Sequence, residues 1–89
     1  MSNIKIIVYL IFTSEGFEEA LTKIIEHKAY LWINDDILNA QQKTILSDYQ
    51  IDFHILESKV EATDEKAIIS TIMYIEQRIE KAELFVEFA

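Results

Sequence analysis

The chain has no cysteine and no proline, a single glycine at position 16 and a single arginine at position 78. Each scarcity excludes something. Without thiols there is no disulfide, no cysteine nucleophile, no thiol redox centre and no thiolate zinc site. One glycine does not make the Gly-rich loop that cradles nucleotide phosphates, and no P-loop lysine follows it. Basic residues are also few: eight against sixteen acidic ones, a net charge of −8. That balance argues against a nucleic-acid partner, because affinity for the phosphate backbone rests on clustered Lys and Arg. No run approaches the roughly 20 apolar residues of a membrane helix. The N-terminal apolar run stops at Phe12, and Glu15, Glu18 and Glu19 follow with no small-residue cleavage site. It does not read as an export signal, so a cytoplasmic location is expected.

What is present is apolar residue in quantity, 51% of 89 positions, enough for one modest core built from residues 1–89 as a single domain. The densest stretch is Ile4 to Phe12, where only Lys5 is polar. It is short for a helix and too uniformly apolar for a strand with one wet face, so it reads as a central strand covered on both sides. Phe17, Ala20, Leu21, Ile24 and Ile25 then recur at helical spacing, with Ser14 as the expected N-cap. Ala29 to Ile33 is a second strand, apolar on both sides. Asn34, Asp35 and Asp36 break it and are expected to cap a helix carrying Ile37, Leu38, Ile45, Leu46 and Tyr49 on one face. Ile51 to Leu56 alternates and reads as an edge strand. Thr63, Asp64 and Glu65 open the longest helix, expected to run to about Ala82, and Leu84 to Phe88 is the last strand.

The order βαβαβαβ implies a small four-stranded, mostly parallel sheet with helices on both faces. The two most apolar strands belong in the middle and the two carrying Asp52, His54 and Glu87 at the edges. Strand orders 3-2-1-4 and 2-1-3-4 both satisfy this. In the first, two helices share one face and the third covers the other alone, which accounts for its broad stripe of Ile68, Ile69, Ile72, Met73 and Ile75.

Ligands of open parallel sheets bind beyond the carboxyl ends of the strands, where strand order reverses. Either order puts Ser14, Glu15 and Gly16 there, with Asp35 and Asp36 next door. Those acids together have the hard oxygen donors that Mg²⁺ prefers, although Ser14, Asn34 and Asp35 are also ordinary capping residues. A phosphate at Gly16 would be repelled by Glu15, Glu18 and Glu19. His54 shares a strand face with Asp52, but a mid-strand position keeps it from a nucleophile at the sheet's end. His27 sits where a helix C-terminus favours positive charge. Trp32, Tyr30, Tyr9 and Phe53 read as core aromatics before a stacking platform. Glu76 with Glu80 and Gln77 with Lys81 are solvated helix pairs of small weight.

The long helix carries more apolar surface than one sheet face can cover, and the last strand is an edge without lysine or proline to guard it. Together they predict a two-fold homodimer through Ile69, Met73, Phe85 and Glu87. The sequence therefore favours a non-enzymatic interaction or regulatory module. An acidic inhibitor or immunity-type protein masking a basic site on a protein partner is the second expectation. A Mg²⁺-dependent phosphoryl-transfer or hydrolytic enzyme using the strand-end carboxylates is the third.

Overall fold

A computed structural model describes residues 6–79 and 82–86. The elements follow the expected order: β1 (Ile6–Ile11), α1 (Ser14–His27), β2 (Tyr30–Ile33), α2 (Ala40–Asp48), β3 (Phe53–Ile55), α3 (Glu65–Arg78) and β4 (Ala82–Val86). All three strand pairings are parallel, and the sheet order is β3-β2-β1-β4. This is the first of the two orders that the pattern of apolar and charged strands allowed. Among the described residues no helix is long and apolar enough to cross a membrane.

Alternation along β1 divides the core in two. Ile7, Tyr9 and Ile11 face α1 and α2, where they meet Phe17, Ile24, Leu31, Ile33 and Leu46. Ile6, Val8, Leu10 and Phe12 face the other way, onto Ile68 and Ile75 of α3 with Trp32 and Leu56 beside them. A strand with apolar side chains on both faces has this environment because it lies between two layers of helix. Val8 and Leu10 are fully buried, as are Phe17, Ile24 and Ile75. Each such side chain contributes roughly 1.5–3 kcal/mol by leaving water. The long third helix covers its face of the sheet alone.

Several boundaries differ from the sequence reading. The cap of α1 is Thr13, not Ser14: its hydroxyl oxygen accepts the Gly16 N–H at 3.0 Å, and Ser14 begins the helix. Asn34, Asp35 and Asp36 cap nothing. They lead into a turn, and α2 starts at Ala40 with a capping box between Asn39 and Gln42. Ile37 and Leu38 therefore reach the core from a loop, and Tyr49 is an exposed residue closing the helix. Helix α3 stops at Arg78, because Ile79 is already extended at φ −122° and ψ 105°, and β4 starts at Ala82 instead of Leu84. Asp64 caps α3 by accepting the Ala67 N–H at 3.2 Å. The expected extension of β1 to Ile4, the pairs made by Glu80 and Lys81, and the end of β4 with Glu87 lie outside the described residues.

Candidate functional site

The ends of β1 and β2, where carboxylates were expected to gather, are joined by an amide. Asn34 is the one buried polar or charged side chain among the described residues. Its Nδ2 donates to the carbonyls of Phe12 at 3.0 Å and Val60 at 2.7 Å, and its Oδ1 accepts the Val60 N–H at 2.9 Å. Both amide hydrogens are used, and the side chain ties the β1 end to the loop between β3 and α3. That loop crosses the rim of the sheet with Val60 buried beneath it.

The proposed ligand residues are dispersed around this tie. Ser14 and Glu15 are exposed in the first turn of α1. Asp35 and Asp36 are exposed past the end of β2, in an open hollow shared with Ile55, Leu56, Glu57 and Lys59. The Asp36 carboxylate accepts the Lys59 ammonium at 3.0 Å, which holds Asp36 below the usual carboxylate range and Lys59 above the usual lysine range. Glu61 lies 3.9 Å from the same ammonium. Among the described residues no three acidic or histidine side chains converge as a metal site would require. The geometry thus does not bring Glu15 to Asp35 and Asp36, on which the Mg²⁺ expectation depended. The point where strand order reverses does hold a shallow hollow of about 280 Å³, lined by Tyr9, Gly16, Glu19 and Phe85. Its glycine amide is already engaged by Thr13, and its charged group is acidic. Burial, and then the nearby Glu26 and Glu83, push the Tyr9 phenol above its ordinary pKa.

A more apolar surface lies on the opposite face, between α3 and β3. Because α3 alone spans four strands, it leaves a groove of about 330 Å³ over β2 and β3. Trp32, Leu56 and Val60 form its floor, Thr71 and Tyr74 its helical wall, and His54 and Glu57 the other side. The His54 ring lies 4.2 Å from that of Trp32, centre to centre, and Tyr74 meets Trp32 edge-on at 5.9 Å. The Arg78 guanidinium sits 4.8 Å above the Tyr74 ring. His54 is thus an exposed ring against a tryptophan. Trp32 and His54 belong to separate strands, and only the β2–β3 register, which sets Trp32 opposite His54, makes them neighbours. Tyr74 was missed because its helix position reads as flank.

The other flank of α3 carries Ile69 and Met73, 56% and 55% exposed. At 100° per residue they project on the side away from Ser70 and Tyr74, toward β4. Leu84 and Val86 of β4 pack on the α3 side of the sheet, at the edge of its strand order. Phe85 is on the reverse side of β4, stacked on Tyr9 at 5.0 Å, so it lies on the face of the sheet opposite α3 with its Ile69 and Met73. Tyr30 and Phe53, expected in the core, are exposed, whereas Trp32 is buried as expected. Comparison with protein families, with curated proteins and with solved structures found no match to this chain.

Proposed function

We propose that this chain is a cytoplasmic, non-enzymatic interaction module that self-associates about a two-fold axis, through the β4 edge and the adjoining flank of α3. The reading rests on two exposed apolar residues of α3, Ile69 and Met73, together with an edge strand whose Leu84 and Val86 lie on the same side of the sheet as that helix. An edge strand offers a row of unpaired N–H and C=O groups, and the described part of β4 has neither lysine nor proline to deter pairing. Antiparallel pairing centred on Leu84 sets that residue against its own copy and Glu83 against Phe85, with no like charges directly opposed. The α3 flanks then meet above the joined strands, so sheet and helix contribute to one isologous contact.

Sedimentation equilibrium tests this. A species of twice the 10.4 kDa chain mass at micromolar concentration is the expected result. A monomer persisting at high micromolar concentration overturns the reading.

A further inference from the structure

We propose that the groove between α3 and β3 docks a basic, extended polypeptide segment, one of whose Arg or Lys side chains lies across Tyr74 beside Trp32. The inference is independent of self-association, which uses the opposite flank of α3. Three features carry it. The first is charge: a net −8 raises the local concentration of cations around the whole molecule, and Glu57 lines this groove. The ammonium lining it, Lys59, is drawn aside by Asp36 and Glu61.

The second is that a cation already occupies the aromatic wall. Arg78, four residues after Tyr74 on α3, holds its guanidinium 4.8 Å from the ring centre. Aromatic faces attract such groups through their quadrupole, and Arg78 marks where a cation from outside would sit. Tyr74 is 42% exposed, so its ring is accessible to a competitor. The third is the backbone of β3. Leu31 N–H donates to the Asp52 carbonyl and Leu56 N–H donates to the Ile33 carbonyl. In a parallel ladder this alternation turns the main-chain groups of Phe53 and Ile55 away from β2, toward the open edge. A chain lying along that edge gains main-chain hydrogen bonds while a side chain enters the groove, the general geometry of strand addition. This favours a polypeptide over a small free cation.

Trp32 is the only tryptophan, so its fluorescence reports on the groove directly. The probe is a blocked Ala-Arg-Ala-Lys-Ala-Arg-Ala peptide, compared with the peptide carrying Glu in place of Arg and Lys, and with free arginine. A saturable one-to-one change with the basic peptide alone is expected. Tyr74→Ala should weaken binding by about two- to fivefold with no change in net charge, and Tyr74→Phe should preserve it. Arg78→Gln, which removes the internal competitor, should tighten binding more than Lys66→Gln, which changes the charge equally elsewhere on α3. If Tyr74→Ala fails to fold, the comparison of Arg78→Gln with Lys66→Gln decides. Absence of a saturable change overturns the proposal. So does equal binding of the acidic peptide or of free arginine, unaltered affinity in a folded Tyr74→Ala, or equal effects of the Arg78 and Lys66 substitutions.

Discussion

The side-chain amide of Asn34 pairs with both the N–H and the C=O of Val60, at 2.9 and 2.7 Å, as an adjacent strand would. With its third bond to Phe12 it closes the sheet rim where the strand ends otherwise leave a crevice. A buried amide with every polar atom satisfied specifies one loop position, and losing it leaves buried backbone groups without partners.

Asn34→Ala should destabilise the fold by about 2–4 kcal/mol, read as a lower urea midpoint with an unchanged slope. Asn34→Asp is the sharper test. An ionised carboxylate has no hydrogens for the Phe12 and Val60 carbonyls, so the deficit at pH 7 should exceed that of alanine. It should shrink as pH falls toward the unfolded aspartate value of about 3.9, because protonation restores one donor. An aspartate variant as stable as the natural protein at neutral pH contradicts the assignment.

Replacing Ile69 and Met73 together by Glu should abolish the dimer while leaving the circular dichroism spectrum intact, because both side chains are exposed in the single chain. Each copy carries −8, so association of the natural protein should strengthen with added salt, in contrast to a contact made by opposite charges. Sedimentation at low and physiological ionic strength measures both effects.

The Tyr9 phenol has its pKa raised in the folded chain, first by burial and then by Glu26 and Glu83. Folding therefore favours the neutral form. The stabilisation is complete below the unfolded value of about 10 and is lost as pH rises through the folded value. Tyr9→Phe should remove this part of the alkaline stability loss, measured as urea midpoints between neutral pH and about pH 11. An identical alkaline limb in the variant rejects the effect.

Asp36 is paired with Lys59 in the open, with more than half of each side chain exposed. Such pairs contribute little. Asp36→Asn should leave the melting temperature unchanged, and millimolar Mg²⁺ should do the same for the natural protein. A Mg²⁺-dependent rise that Asp36→Asn removes would restore the carboxylate site.

The β1 run is legible in the sequence because burial on both faces leaves an unambiguous signature: no wet side from Ile6 to Ile11. The single-helix face was legible for a related reason, since the apolar stripe of α3 exceeds what one contact needs. Asn34 was misread. Asparagine before two aspartates has the local grammar of a helix cap, and only contacts with residues 22 and 26 positions away give it another role. The end of α3 was placed too far along because Ile79 and Ala82 continue the helical spacing although the backbone has turned extended. The groove was invisible for the same nonlocal reason: Trp32, His54 and Tyr74 belong to three separate elements.

A lone helix laid over four strands has two flanks, a strip toward β3 that holds the groove and a strip toward β4. If the β4 strip joins two copies, the β3 strips end up at the outer limits of an eight-stranded sheet, related by the same axis. The assembly is then bivalent: a partner with two basic segments spaced to reach both ends would be held more tightly than either segment alone, by the effective concentration its linker imposes.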